Sequence, residues 1–226
     1  MFTIPWLISF ILVVISFVGI VLTSKLLFKP FDEYKFSFMR IFPFEIINNS
    51  GSNAKIYSLS TYLFAGMCFS PLLLVISEQV TLKSLNPMSI LISCILGLAG
   101  LCFIFLNVFD VTHTKPHLVI FGIFASLTLL AGILVSVRGF IAYDIFLKHS
   151  HVEYIFIISA GLCELFSVVP VLAIILNPKL KSWPRLDKVD DQYVRPKRFP
   201  LAYSEWGILL SLFFVEILYF IQLLVK

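Results

Sequence analysis

The chain has 226 residues, of which 59% are hydrophobic and only 13% are charged, and its formal net charge is +4. A soluble domain of this length needs far more polar surface to cover it. The small positive charge is not gathered into a nucleic-acid-binding face either. The composition therefore excludes an ordinary soluble protein and a nucleic-acid-binding protein, and it predicts an integral membrane protein.

Six apolar runs are each long enough to cross a bilayer as a helix, which takes about 20 residues. They lack the alternation of barrel strands, and a helix satisfies its own backbone in lipid. The first run has no basic start and exceeds a usual signal-peptide core, so we expect a retained span. The sequence predicts one all-α domain over residues 1–226, a six-transmembrane-helix bundle with spans at about Ile4–Leu27, Ile56–Ile76, Met88–Phe109, His117–Val137, Tyr154–Ile175 and Trp206–Val225.

Aromatic residues and prolines mark positions along these runs. Trp6, Tyr154 and Trp206 lie at the expected ends of spans, where amphipathic rings anchor helices at the membrane interface. Pro71 and Pro170 lie inside spans, where a proline removes a backbone hydrogen bond. We therefore predict three interface anchors and two kinks.

Small residues recur at four-residue spacing in the third and fourth spans, at Ser89, Ser93 and Gly97 and again at Gly122 and Ser126. Such stripes let transmembrane helices approach closely. With the short connection between the two runs, this spacing predicts a tight antiparallel pair.

The basic residues are distributed unevenly between the connections. Thirteen of the 17 lie in or beside the first, third and fifth connections, and the other four are Lys83, Arg138, Lys148 and Lys226. The positive-inside rule then places the odd-numbered connections in the cytoplasm.

The fifth connection, Asn177–Glu205, is the longest and the richest in bases. One interpretation is a solvated loop that only sets the topology. The other is a surface for anionic lipid headgroups, where each basic residue contributes about 1 kcal/mol. The headgroup candidates are Lys179, Lys181, Arg185, Arg195, Lys197 and Arg198.

Three polar side chains, Asn107, Glu164 and Glu216, fall within predicted spans. Ionisable groups at membrane depth are costly, so each is a functional candidate. No base accompanies the two carboxylates in the pattern, and we expect them to be protonated or paired through water.

The hairpin between the third and fourth spans carries the weak catalytic candidates Asp110, His113 and His117. Asp110 and His117 lie at the ends of adjacent helices, so they can meet. A carboxylate that orients an imidazole suits a general base or a ligand contact, and it equally locks a hairpin. The four cysteines lack metal-ligand spacing, and the sequence predicts no metal and no cofactor.

Two segments carry a family resemblance. The first is Phe42–Pro43–Phe44–Glu45–Ile46 followed by Asn49–Ser50–Gly51. The second combines Asp190–Asp191–Gln192–Tyr193–Val194 with Ala202–Tyr203–Ser204–Glu205–Trp206. Together they resemble the DRAM / Frag / Sfk family of six-span eukaryotic membrane proteins, and they mark Phe42, Pro43, Gly51, Tyr193, Glu205 and Trp206. The basic run Arg195–Arg198 replaces the histidine that the family has after the tyrosine.

The resemblance implies a role in membrane and lipid homeostasis, as an autophagy modulator, an adaptor for a phosphatidylinositol 4-kinase complex, or a factor in GPI-anchor remodelling. It also implies lumenal odd-numbered connections, opposite to the charge rule. The favoured function is a non-enzymatic scaffold or lipid-sensing adaptor, with membrane lipids and other membrane proteins as partners. A lipid-remodelling enzyme and an accessory subunit of a membrane complex or transporter are the alternatives. The location is an endomembrane, lysosome or Golgi, or the plasma membrane.

Overall fold

The structure is a computed structural model that describes residues 4–27, 37–38, 41, 43, 54–77, 83–109, 114–146, 153–176, 187–189, 192–194 and 200–224. Within these residues the chain forms long helices and one small hairpin. The elements in chain order are α1 (Ile4–Leu27), α2 (Ala54–Met67), α3 (Ser70–Ile76), a 3₁₀ turn (Lys83–Leu85), α4 (Asn86–Val108), α5 (Thr114–Phe146), α6 (Glu153–Ile175), β1 (Asp187–Val189), β2 (Gln192–Val194) and α7 (Pro200–Leu224).

Six helices in the described part of the chain are long and apolar enough to cross a membrane, with α2 and α3 together forming the second. This confirms the predicted all-α bundle of six spans. The fourth span differs most from its expected length, because α5 has 33 residues and ends at Phe146 rather than near Val137. The apolar pattern resumes after Arg138, so the helix continues through this charge.

The second span is interrupted at Cys68 and Phe69, which form a turn between α2 and α3. Pro71 lies in the first turn of α3 and has no N–H to continue the hydrogen bonds of α2. The predicted kink at Pro71 is therefore an interruption of the helix. Pro170, in contrast, lies within α6, which continues on both sides of it.

Two glycines of α4 accommodate this interruption. A Cβ on Gly97 would collide with the ring of Phe69, and a Cβ on Gly100 would lie 2.8 Å from the carbonyl oxygen of Ala65. Glycine at position 97 leaves room for the Phe69 ring, and glycine at position 100 lets the two backbones approach closely. Gly97 and Gly100 therefore serve the contact of the third span with the second span.

In the fourth span, the glycines that make close helix contacts are not those of the predicted Gly122 and Ser126 stripe. A Cβ on Gly132 would collide with the side chain of Ser167 in α6, and one on Gly139 would lie 2.9 Å from the carbonyl oxygen of Phe156. Gly122 has open space beside it, and Ser126 is exposed. The assignment of Gly122 and Ser126 to a helix contact is wrong, because that stripe faces outward.

The last helix, α7, lies at the centre of the bundle. It packs against α1, α4, α5 and α6, and 61% of the span is buried, more than in any other span. Aromatic rings fill the contacts around it, with Phe213 stacked on Phe17 at 4.0 Å between centroids and Phe214 stacked on Phe166 at 4.2 Å. Residues of α7 therefore reach several helices at once.

A small hairpin forms in the fifth connection, where β1 and β2 pair antiparallel with Lys188 opposite Tyr193. The sequence predicted a loop over this segment. Two short strands instead pair within the connection that leads into α7.

Candidate functional site

Buried polar side chains of α7 lie at three levels along the bundle. Glu205 lies near the start of the helix, Glu216 lies past its middle, and Gln222 lies near its end, and all three are buried. Buried polar groups need hydrogen-bond partners. The partners of each level come from different helices, so the three levels define three clusters.

The first cluster joins His117, at the start of α5, to Glu205. His117 Nε2 lies 2.6 Å from Oε1 of Glu205, and the two side chains are 1% and 2% exposed. The other ring nitrogen, Nδ1, lies 2.6 Å from the carbonyl oxygen of Phe109. A carbonyl only accepts, so Nδ1 carries a proton and donates it. Both ring nitrogens are therefore occupied, and the imidazole joins the end of α4, the start of α5 and the start of α7.

This geometry bears on the predicted pairing of His117 with Asp110. The structure places Glu205, 88 positions further along the chain, against the ring. Asp110 and His113 lie outside the described residues. The pairing of His117 with Asp110 therefore stays a prediction, and Glu205 is a carboxylate partner that hairpin proximity did not suggest.

Trp206 joins the first connection to the start of α7 through a hydrogen bond. Its indole Nε1 donates to the carbonyl oxygen of Ile41 at 2.8 Å, and Phe38 meets its ring edge-on at 4.9 Å between centroids. Pro43 is also buried. The family-marked residues Pro43, Glu205 and Trp206 are thus all buried. Glu205 and Trp206 lie at the end of the bundle that carries the odd-numbered connections, and we call this end the odd face.

Trp206 and Trp6 are not interface anchors as predicted. Trp206 is 8% exposed and Trp6 is 7% exposed, and the indole of Trp6 donates to the carbonyl oxygen of Phe220 at 3.3 Å. Both indole N–H groups donate to carbonyl oxygens inside the bundle. A tryptophan at the end of an apolar run does not by itself indicate such a partner. Tyr154, at 59% exposed, lies on the outer surface as the anchor role requires.

The second cluster lies deeper, where the interruption of the second span meets α7. Cys68 Sγ lies 3.4 Å from Oε2 of Glu216, and Oε1 of this fully buried carboxyl group has no hydrogen-bond partner among the described residues. Tyr57, on the same helix as Cys68, is fully buried and its hydroxyl is also unpartnered there. Tyr57 and Cys68 are separated along the second span by as many positions as Glu205 and Glu216 are along α7. Both helices begin at the odd face. Tyr57 therefore lies at about the depth of Glu205, and Cys68 lies at about the depth of Glu216.

The third cluster surrounds Arg138 and lies towards the opposite end of the bundle. The side chain is 1% exposed. Its Nε donates to Ser89 Oγ at 3.0 Å and its Nη1 donates to Gln222 Oε1 at 3.1 Å. Gln222 in turn donates to Ser159 Oγ at 3.0 Å. The guanidinium lies 5.7 Å from the ring centroid of Tyr219, so four helices meet around one cation.

Arg138 has no ion-pair partner among the described residues, where the one contact between an acidic and a basic side chain is His117 with Glu205. A buried guanidinium without a carboxylate loses its hydration and recovers only neutral hydrogen bonds and the ring contact. The sequence did not predict this site, because the predicted fourth span ends before Arg138 and leaves the residue in a connection. The segment from Phe140 to Phe146, apolar except for Asp144, was the signal that the helix continues.

The remaining candidates do not join these clusters. Asn107 donates from Nδ2 to the carbonyl oxygen of Phe103 at 2.7 Å, one turn earlier in its own helix. Glu164 is exposed on the outer surface of α6. The backbone of Tyr193 lies in β2. The rest lie outside the described residues: Phe42, Gly51, Lys179, Lys181, Arg185, Arg195, Lys197 and Arg198.

The described residues hold no group of three or more His, Cys, Asp or Glu side chains that could bind a metal ion. The clusters are instead built from hydrogen bonds between helices. These polar side chains contact one another inside the bundle.

Comparison of the chain with protein-family models, with curated proteins and with solved structures gives no match. The fold therefore defines the class by itself, an all-α six-helix protein embedded in a membrane. The resemblance to the DRAM / Frag / Sfk family stays a prediction from the residues quoted above.

Proposed function

We propose that this protein is a non-enzymatic membrane scaffold, a lipid-sensing adaptor whose odd face binds anionic headgroups and partner proteins in membrane homeostasis. The observation that supports this most is the state of His117. Both of its ring nitrogens are engaged, one by Phe109 and one by Glu205, so neither is free to accept a proton from a substrate. The pair holds helix ends together, which is what a fixed binding platform requires.

The sequence around this platform supports recognition of a negatively charged surface. The six candidate bases in the fifth connection precede the start of α7, where Glu205 and Trp206 lie. The described hairpin of β1 and β2 lies between two groups of these bases. Clustered bases in a connection beside the membrane are suited to phosphate groups of lipids.

The test is a titration of the full-length protein in phosphatidylcholine nanodiscs with a water-soluble short-chain phosphatidylinositol phosphate. We expect saturable binding, and at least a tenfold loss of affinity when the six candidate bases in the fifth connection are changed to Gln, since each contributes about 1 kcal/mol. Changing Lys83, Lys148 and Lys226 to Gln is the control for the opposite face. Equal affinities in the two variants would contradict the lipid-sensing role.

The second candidate is a lipid-remodelling enzyme, and one observation favours it. His117 and Glu205 form a carboxylate–imidazole pair, an arrangement that serves as a general base when a substrate displaces one hydrogen bond. Lipid extracts from proteoliposomes, analysed by mass spectrometry over time, distinguish the two. Turnover by the wild-type protein that is lost in His117→Asn and kept in Lys115→Gln would replace the scaffold proposal with the enzyme.

A further inference from the structure

Glu164 occupies an unusual position for a carboxylate. It is the central residue of α6, eleven positions from Glu153 and eleven from Ile175. At 1.5 Å per residue it lies about 16 Å from either end of the helix, close to the middle of a hydrocarbon core about 30 Å thick. Its side chain is exposed on the outside of the bundle.

The exposed residues beside Glu164 on α6 are apolar and offer it no base. Ile157, two turns earlier, is 37% exposed and Leu165 is 54% exposed, and α6 is the least buried of the six spans. The carboxylate forms no hydrogen bond and no ion pair with any described residue. Ionisable groups at membrane depth almost always face a bundle interior or a water-filled cavity and pair with one another. This surface of α6 therefore lacks the neighbour that its carboxylate requires.

Gly161 lies one turn before Glu164 on the same side of the helix. It is exposed, and a Cβ added to it would meet nothing within 4 Å. A glycine on an outer helix surface lets a second helix approach closely in lipid. Gly161 and Glu164 thus combine a close-approach point with a polar group, and we call this pair and the exposed residues Ile157 and Leu165 the α6 face.

Charge complementarity identifies the occupant. Among the described residues with exposed side chains, the bases are Lys25, Lys55 and Lys115, and each lies within the last or first few residues of its helix. Arg138 is buried in its own cluster. At membrane depth, a second copy of the described bundle would oppose Glu164 with apolar residues, with a hydroxyl such as that of Ser126, or with another Glu164, but not with a base. A base at the middle of a span therefore has to come from another protein.

We propose that the α6 face binds a transmembrane helix of a partner protein that carries a Lys or Arg near the middle of the bilayer and pairs it with Glu164. The pairing explains why a carboxylate is kept on a surface that otherwise contacts lipid. It does not rest on the lipid-sensing role proposed above, because the odd face and the α6 face are different surfaces.

The test uses the full-length protein, labelled with a donor dye on an added tag, in phosphatidylcholine liposomes. The probe is a synthetic Leu/Ala transmembrane peptide with one central Lys and an acceptor dye, and the reference peptide has Leu at that position. Energy transfer measured against peptide density gives the association constant. We expect the wild-type protein to bind the Lys peptide about tenfold more tightly than the Leu peptide.

Variants at Glu164 test the charge of the α6 face, and variants at Gly161 test its shape. Glu164→Leu should abolish the preference for the Lys peptide, and Glu164→Gln should reduce it, because the amide keeps a hydrogen bond and loses the charge. Gly161→Ile should block association, whereas Gly122→Ile, the same change at an equally open position on α5, should leave it unchanged.

Two results would overturn the proposal. The first is equal association of both peptides with the wild-type protein. The second is energy transfer between differently labelled copies of the protein that disappears in Glu164→Leu, which would assign the α6 face to a homodimer. Both outcomes are distinct from loss of phosphoinositide binding at the odd face.

Discussion

The imidazole Nε2 of His117 lies 2.6 Å from the carboxylate Oε1 of Glu205, although 88 positions separate the two residues in the chain. Each side chain is buried, and each comes from the first turns of a different transmembrane helix. The contact therefore fixes the relative position of α5 and α7 at the odd face, and its removal can be measured.

We predict that His117 and Glu205 are strongly coupled. His117→Leu and Glu205→Leu should each lower the free energy of unfolding by about 3–5 kcal/mol, because each removes the 2.6 Å contact from a buried ionisable partner. The double variant should lose much less than the sum of the two. SDS titration followed by tryptophan fluorescence gives the three values. Additive losses would show that the pair is not a unit, and Lys115→Leu at an exposed neighbouring position is the control.

We predict that Trp206→Phe releases the first connection while the bundle stays folded. The change removes the hydrogen bond to the carbonyl oxygen of Ile41 and keeps most of the ring, at a cost of about 1–3 kcal/mol. Limited proteolysis should then cut faster between residues 28 and 53. Trp6→Phe is the matched control, because its indole bonds Phe220 at the opposite end of α7. Equal cleavage in both variants would argue against this contact.

We predict that Arg138→Met is at least as stable as the wild-type protein. The variant loses the bonds to Ser89 and Gln222, but it also relieves a buried cation that has no carboxylate partner among the described residues. Arg138→Ala should be less stable by about 2 kcal/mol or more, because it leaves a cavity as well. Unfolding in SDS measures both. A large loss in Arg138→Met would mean that the hydrogen bonds outweigh the desolvation.

We predict opposite effects for valine at two glycines of α5. Gly139→Val should lower the free energy of unfolding by about 1–3 kcal/mol, because its Cβ would press on Phe156 and Gln222. Gly122→Val should be tolerated, since that position is open. Unfolding midpoints in detergent check this difference, and a tolerated Gly139→Val would mean that α6 can move away at little cost.

We expect the odd face to lie in the cytoplasm. With Arg138 inside the bundle, 13 bases remain at the odd face against three at the opposite one, and the positive-inside rule then applies more strongly. Ser182→Cys in a cysteine-free background should react with an impermeant maleimide only after selective permeabilisation of the plasma membrane. Labelling in intact cells, or only after organelle membranes are opened, would support the topology that the family resemblance implies.

The number and type of the spans could be predicted because they depend on local sequence. A run such as Met88–Phe109 must form a helix in lipid whatever surrounds it, since its backbone groups have no other partner. A proline lacks the N–H wherever it stands, yet the second span is interrupted beside Pro71 while α6 continues past Pro170. The effect of a proline was therefore not a local matter. The end of α5 was not local either, because a charge inside a span is acceptable only where other helices supply its partners.

The sequence alone therefore determined a membrane bundle of six helices and singled out His117, Glu205, Trp206, Glu164 and Glu216 as residues that such a bundle must account for. It did not determine which of them meet. The tertiary structure decided that His117 pairs with Glu205, that Arg138 lies within a ring of neutral polar groups, and that Glu164 faces outward. The physical reason is that helix formation in lipid follows from the apolar composition of each run, whereas the partner of a polar side chain depends on how distant helices rotate and pack against one another.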